Sequence, residues 1–381
     1  MRINNKIKVA IIITGLGVGG TELRQLTIAR HIDRSRFNID YYCIYDEDNK
    51  LIPEFEKLGY NVKIIKIFDY SKHFLLRVNY INIFKLTYLL KNIKYDIVHT
   101  QLPHANTVGR LAAVLSGVRC IIATICNMEE MSHTQIFWDR FLSIFTYKIM
   151  CISKSVMEYN IKRTSISRSK YITIHNGIDT LRFDRKNIRV IYKEEKGIPG
   201  DKFIIGSVGR LHQLKDYRTL INAYKHVHDH ISNTILVIVG DGPEKENLME
   251  LTSKLGLSSS TIFMGERLDI PEILSCFDIF VMSSVSEGFG NVIVEAMSMQ
   301  LPVISTDIPP FREIILNNSD GILIPPKDAF LMASAIIRLY EDKDKRALLS
   351  VNARMKVNKN FSESVMINRI QQMYEKGKNR V

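Results

Sequence analysis

The sequence predicts an α/β protein built from two doubly wound parallel-sheet domains, and three observations carry that prediction. Short β-branched runs alternate with segments of helical period along nearly the whole chain. The runs are apolar on both faces, as strands must be when helices cover both sides of a parallel sheet. The alternation lapses once, in the mixed-charge stretch 182–200, which reads as a linker, and then restarts. At 381 residues the chain exceeds one core of usual size, so length alone indicates two or three domains.

In the first half the strands fall at 9–14, 39–44, 62–65, 97–100, 121–124, 149–152 and 172–174, with helices at 21–31, 76–90 and 105–115 between them. Arg2, Lys6 and Lys8 ahead of the apolar run imitate a secretion signal. No small-x-small cleavage pattern follows, and Thr21-Glu22 opens an amphipathic helix, so the run reads as a buried strand and a glycine turn. In the second half the strands fall at 203–208, 235–239, 262–264, 279–282, 303–305 and 322–324. The last helix, 361–376, has Val365, Met366, Ile367, Ile370, Met373 and Tyr374 at positions that need a surface to cover. The expected division is 1–185, 186–360 and a C-terminal segment, 361–381, packing back on the first domain.

With 46% apolar and 24% charged residues, disordered, collagen-like and fibrous classes are excluded. The 52 Lys and Arg against 40 Asp and Glu leave +12, which indicates a polyanionic partner: nucleic acid, phosphorylated substrate or anionic lipid. The five cysteines are scattered, odd in number and without a C-x-x-C pair, as expected of reduced thiols in a cytosol. No uncharged apolar stretch approaches 20 residues, so a spanning helix is not expected and the protein is soluble or rests on a membrane surface.

Gly15-Leu16-Gly17-Val18-Gly19-Gly20 satisfies G-x-G-x-x-G between a strand and a helix, with Asp46 beyond the second strand. A dinucleotide site fits this pattern. So does any phosphate site, because free amides and the helix dipole attract anions generally, and so does an unliganded turn. The second half carries more. Gly209-Arg210 to Lys215-Asp216 follows a strand and precedes a helix, where a guanidinium and an ammonium can converge on a diphosphate in place of a divalent metal. Glu287 and Glu295 flank the turn Gly288-Phe289-Gly290, one in the loop and one inside the helix that starts near Asn291, and a carboxylate suits a sugar or ribose diol. All four groups fall at carboxyl ends of predicted parallel strands, where open α/β sheets bind ligands.

These residues resemble the family-four glycosyltransferases, also described as glycosyl transferases group one: retaining, nucleotide-sugar-dependent enzymes of GT-B fold, with two Rossmann-like domains facing a cleft. The resemblance also runs through Leu102-Pro103-His104-Ala105-Asn106, Ile174-His175-Asn176-Gly177-Ile178-Asp179, Val239-Gly240-Asp241-Gly242-Pro243 and Pro302 to Asp307. It implies that Arg210 and Lys215 hold the donor diphosphate and stabilise the leaving group, that Glu295 takes the ribose hydroxyls, and that Glu287 touches the donor sugar. Phe289, Gly290 and Asn291 would offer backbone amides, Gly209 would belong to the same donor loop, and Gly19 and Gly20 would approach from the other domain. The nucleotide base would meet backbone around Gly265 to Arg267. His104 would lie by the reacting centre; read from its residues alone, it equally caps the helix that starts there. Two positions depart from the family's commoner wording: Ile308-Pro309-Pro310-Phe311 in place of a Gly-Gly pair, and Ile125-Cys126-Asn127 where histidines are frequent. The first bears on the sugar pocket, the second on the acceptor side.

The implied function is transfer of a hexose from a nucleotide sugar, UDP- or GDP-linked, to a lipid-linked or envelope saccharide with retention, metal-independent and with no resident cofactor. Alternatives are an NAD-dependent oxidoreductase using residues 15–20 and Asp46, or a sugar-nucleotide epimerase on the same fold; a non-enzymatic binding module leaves too many motifs unexplained. Asp46-Glu47-Asp48 is expected to be a solvated acidic turn rather than a metal site, and His226, His228 and His230 to lie on a surface helix. Residues 1–185 hold 27 Lys and Arg against 16 Asp and Glu, whereas 186–381 hold 25 against 24. The basic stretch Lys57, Lys63, Lys66, Lys72, Arg77, Lys85, Lys91 and Lys94, interleaved with Phe68, Tyr70, Phe74, Leu75, Leu76 and Tyr80, suits docking on anionic lipid at the inner face of the cytoplasmic membrane. No nucleic-acid partner is expected.

Overall fold

The computed structural model describes residues 6–47, 49–68, 79–128, 130–188 and 193–380. The chain forms two compact units, Met1–Gly177 with Glu363–Val381, and Ile178–Ser362.

In the first unit the order is β1 (Ile7–Ile13), α1 (Gly20–His31), β2 (Phe37–Cys43), α2 (Ile52–Lys57), β3 (Asn61–Ile64), α3 (Tyr80–Ile93), β4 (Ile97–Gln101), α4 (Pro103–Ser116), β5 (Cys120–Ile125), α5 (His133–Ser143), β6 (Lys148–Cys151), α6 (Lys154–Thr164) and β7 (Tyr171–Thr173). The strands pair in parallel in the order β3-β2-β1-β4-β5-β6-β7. Local chemistry sets the helix starts. Ser153 accepts from the Val156 amide at 3.1 Å to open α6, and Ser132 with Gln135 forms a capping box at α5. The expected helix at 76–90 begins at Tyr80, capped by Asn79. Asp48, Tyr70, Lys72, Phe74, Leu75, Leu76 and Arg77 lie outside the described residues.

The second unit runs β8 (Phe203–Val208), α7 (Tyr217–His230), β9 (Thr234–Val239), α8 (Lys245–Lys254), β10 (Thr261–Phe263), α9 (Ile270–Ser275), β11 (Ile279–Met282), α10 (Asn291–Ser298), β12 (Val303–Thr306), α11 (Pro309–Ile314), β13 (Ile322–Ile324), α12 (Ala329–Glu341) and α13 (Lys343–Asn360). Its parallel sheet is ordered β10-β9-β8-β11-β12-β13. Residues 180–184, placed by charge pattern near the start of the linker, are tied to this unit: Arg354 donates to the carbonyls of Thr180 and Phe183 at 2.9 and 2.7 Å and pairs with Asp184 at 2.9 Å. The chain then returns to the first unit as α14 (Glu363–Lys378), whose Met366, Ile367, Ile370, Met373 and Tyr374 share a core with Val9, Ile11, Phe37 and Met150.

Both sheets reverse strand order at one point, β1/β4 in the first and β8/β11 in the second. Loops leaving adjacent strands in opposite directions open a crevice there, so these are the places where an α/β sheet takes ligands.

Candidate functional site

In the second unit the loops after β8 and β11 meet at the switch point. Ser283 Oγ donates to the Lys215 carbonyl at 2.8 Å, and the Val285 amide to the Leu214 carbonyl at 2.9 Å. Asp216 adopts φ 47°, turns the chain and caps α7 through Thr219. The result is an ion pair between Lys215 Nζ and Glu287 Oε1, whose carboxylate also accepts from Ser284 Oγ at 3.1 Å. Lys215 and Glu287 are 21% and 16% exposed, enough shielding for the pair to hold its geometry. Arg210 is exposed and makes no ion pair among the described residues.

Glycine makes this convergence possible at two places. Gly240, at φ 133°, lies so close to the loop after β8 that a Cβ would stand 2.1 Å from the Gly209 carbonyl oxygen. Gly290, at φ 111°, heads α10, and a Cβ there would stand 2.7 Å from the Phe311 ring. Phe311, from the Ile308-Pro309-Pro310-Phe311 departure, is therefore buried beneath the Gly290 turn. Phe289 is buried too, its ring 5.7 Å from that of Phe361, and it offers only backbone outward. Glu295 lies inside α10, where burial pushes its carboxyl up to about 7, partly offset by the Arg182 charge. Arg267 sits in the loop after β10, two strands from the switch point, and forks onto Asp269 at 2.8 and 2.7 Å. Lys196 holds the same carboxylate at 2.6 Å, and these partners keep it well below the usual range.

In the first unit the β1/β4 switch point gathers the glycine turn and His104. Leu102, a bulky residue at φ 73°, bends the chain sharply out of β4 and delivers Pro103 and His104 to the start of α4. Tyr45 OH bonds His104 Nδ1 at 2.8 Å, and the Phe68 ring packs 5.1 Å from the imidazole. Burial lowers the His104 pKa. Gly19 is the N-cap of α1, and a Cβ there would fall 2.5 Å from the Glu22 carboxylate; Gly20 is the first helical residue. Asn49 ties this turn to the β2–α2 loop through the Leu16 amide at 2.8 Å.

Sequence reasoning passed over Tyr45, which carries no motif, placed Phe68 in the basic and aromatic stretch rather than beside His104, and missed a buried polar network at the carboxyl edge of the first sheet. There Arg24 donates to Gln101 at 2.7 Å, and His99 bonds Tyr374 OH at 2.7 Å and Thr124 Oγ1 at 2.6 Å. Burial, then the Arg24 charge, push His99 down to about 3, so it is a neutral structural histidine. Beside the network a pocket of about 70 Å³ is lined by Leu102, Asn106, Arg110, Cys126, Asn127 and Asp139, with Arg110 and Asp139 paired. Asp46 is paired with Lys66 at 2.5 Å, and His226 and His230 are exposed on α7. Among the described residues no group of three or more His, Cys, Asp or Glu side chains could hold a metal ion.

Two parallel-sheet units, each gathering motif residues where its strand order reverses, define a double-Rossmann architecture. Residues 18–182 match the family model described as Glycosyltransferase Family 4, and residues 189–356 match the model described as Glycosyl transferases group 1. The chain belongs to this family of GT-B glycosyltransferases. It is 28% identical over 382 residues, covering 97% of each chain, to the UDP-Gal:alpha-D-GlcNAc-diphosphoundecaprenol alpha-1,3-galactosyltransferase of Escherichia coli. It is 24% identical over 364 residues, 92% of this chain and 95% of the relative, to the capsular polysaccharide biosynthesis glycosyltransferase CapM of Staphylococcus aureus. The fold matches that of Anabaena HepE in complex with UDP, with a TM-score of 0.85 at 21% identity over 97% of this chain and 100% of that one.

Proposed function

We propose that the protein transfers a hexose from a UDP- or GDP-sugar to a lipid-linked or envelope saccharide, with retention of anomeric configuration and without a metal, on the cytoplasmic face of a membrane. The observation that carries this reading is the Lys215–Glu287 pair with Arg210 at the β8/β11 switch point. Cations poised there offset the charge that grows on the departing diphosphate, the role a metal plays in other transferases. The UDP-galactose-dependent, diphosphoundecaprenol-directed activity of the Escherichia coli relative and the capsular polysaccharide role of the Staphylococcus aureus relative support the substrate classes. Glu295 takes the ribose hydroxyls, Glu287 a hydroxyl of the donor sugar, and the turn 289–291 supplies backbone amides. The first unit receives the acceptor, with His104 oriented by Tyr45.

In the step itself the bond from the anomeric carbon to the phosphate oxygen breaks, its electron pair leaving with the nucleoside diphosphate. The acceptor oxygen bonds to that carbon on the same face, and the acceptor proton passes to the departing phosphate oxygen. No described helix is long and apolar enough to cross a membrane, and a peripheral location accords with that. Turnover of a panel of UDP, GDP and ADP sugars, with the anomer of the product read by NMR and with chelator present, tests the reading. An inverted product refutes retention, and activity abolished by EDTA and restored by Mn²⁺ refutes the metal-free step.

A further inference from the structure

Only Leu142 and Ser143 of α5 are buried. Its outward side carries Phe137, Trp138 and Phe141, and the chain beyond it adds Ile144 and Phe145, which are 63%, 38%, 42%, 68% and 45% exposed. Within α5 the spacing i, i+1, i+4 sets Phe137, Trp138 and Phe141 on one flank, and Phe145 continues it through its ring contact with Phe141. The rings touch in series, Phe137 to Trp138 at 5.8 Å, Trp138 to Phe141 at 6.0 Å and Phe141 to Phe145 at 5.8 Å. They meet edge to face while remaining exposed. A continuous apolar strip of this kind marks a contact with something outside the chain.

The strip runs into a shallow pocket of about 330 Å³ that Ile144 and Phe145 share with Arg119, Lys170 and Arg380. Lys148 stands nearby: burial, then the charges of Arg380 and Lys148, lower the Lys170 pKa. Lys148 Nζ donates to the Ser169 carbonyl at 2.6 Å and Lys170 Nζ to the Thr146 carbonyl at 2.8 Å, while the Arg380 guanidinium lies 5.6 Å from the Tyr147 ring. Among the described residues none of these three cations forms an ion pair, so the cluster calls for an anion from outside. The charge of the whole unit agrees. Met1–Gly177 with Glu363–Val381 holds 29 Lys and Arg against 16 Asp and Glu, whereas Ile178–Ser362 holds 23 against 24.

Aromatic rings beside unpaired cations match the two layers of a lipid interface, rings at the headgroup and acyl boundary and cations on phosphates. We infer that the exposed side of α5, continued by Ile144 and Phe145 and flanked by Lys148, Lys170 and Arg380, is the docking surface for an anionic phospholipid bilayer. This deepens the membrane-borne acceptor reading and rests on it. It also places the contact away from the basic stretch 57–94, where Lys57 is paired with Glu54 and Lys66 with Asp46 and where the exposed Phe84 and Tyr88 of α3 form the competing face. The opposite flank of α5 contributes Gln135 and Asp139 to the Arg110 pocket, so a bilayer along this helix brings a lipid-linked saccharide to that pocket.

Trp138 is the sole tryptophan of the sequence, so its emission reports on this strip alone. With the full chain and mixed phosphatidylcholine–phosphatidylglycerol vesicles, emission shifts to shorter wavelength and is quenched by lipids brominated on the acyl chain. Salt reverses both effects, and pure phosphatidylcholine produces neither. Phe137→Ser with Ile144→Ser weakens vesicle binding about tenfold or more, and Lys148→Gln, Lys170→Gln and Arg380→Gln together abolish the preference for anionic lipid. All variants keep wild-type turnover on a water-soluble acceptor. Equal binding to neutral vesicles overturns the inference, as does co-sedimentation with an unchanged Trp138 spectrum, or loss of binding in Phe84→Ser with Tyr88→Ser while the α5 variants still bind. Absent turnover on every soluble acceptor, with vesicle binding intact, counts against the transferase reading and leaves the docking surface standing.

Discussion

Glu295→Gln isolates a group whose burial sets its energetics. The Glu295 carboxyl is raised from 4.5 to about 7, chiefly by burial. Each pKa unit corresponds to about 1.4 kcal/mol, so the shift amounts to about 3 kcal/mol. Water reaching the part-exposed side chain makes that figure a ceiling. The sign follows from proton counts. Below pH 4.5 the carboxyl is protonated in both folded and unfolded chains; between 4.5 and 7 only the folded chain keeps the proton, so stability falls as pH rises; above 7 both are ionised and the loss is complete. Glutamine has the same shape and no charge. At pH 8 Glu295→Gln is therefore stabilised by up to about 3 kcal/mol, or roughly 5–10 °C in the melting of the second unit. At pH 4 the two proteins melt alike. Thermal unfolding at both pH values checks this, and a variant with no gain at pH 8, or the same gain at pH 4, refutes the burial argument. The same substitution tests the ribose assignment. Calorimetric titration with UDP and GDP loses about 1.5–3 kcal/mol of affinity for the nucleotide that the wild type binds. Wild-type affinity increases from pH 6 to pH 8, and that of the variant stays flat. Unchanged affinity ends the ribose role without touching the stability result.

Lys215→Ala and Arg210→Ala each lower kcat by about a hundredfold or more, because each removes a charge aimed at the leaving diphosphate; a smaller loss in steady-state assays argues against that role. His104→Ala lowers kcat while nucleotide affinity by calorimetry stays at the wild-type value, and Tyr45→Phe, which deletes the 2.8 Å bond to Nδ1, produces a weaker loss of the same kind. Equal losses of affinity and turnover would place His104 in nucleotide binding instead. Gly240→Ala destabilises the second unit by about 1–3 kcal/mol in thermal unfolding, since its Cβ meets the Gly209 carbonyl at 2.1 Å and φ is 133°. A neutral result would show that the loop after β8 yields without cost.

Much of the fold is legible in the chain because strand alternation and glycine turns are local signals. The run at 9–14 sits within two residues of β1 at each end, and that at 203–208 coincides with β8. The helix expected at 76–90 starts later, at an Asn79 cap that apolar period does not reveal. Candidate site residues are legible as far as their strand ends, because β8 must end where Gly209 and Arg210 follow it. Arg267 shows the limit: a sequence cannot say that a cation is engaged by Asp269 and sits two strands from the switch point. Tyr45 and Phe68 are ordinary aromatic residues until β2, β3 and β4 bring them together with His104.

The sequence by itself determined the two α/β units and the order of their motifs, because hydrophobic period and turn chemistry act over a few residues. Tertiary structure alone decided which groups meet. Lys215 pairs with Glu287, 72 residues away, because β8 and β11 are neighbours across a reversal of strand order. It also decided which faces stay outside. Phe137, Trp138, Phe141 and Phe145 recur at the spacing of a core-facing stripe, yet they are exposed, while the apolar side of α14 closes over the first sheet. Local pattern fixes which residues share a helix face; whether that face meets a core or solvent depends on the layers available to cover it.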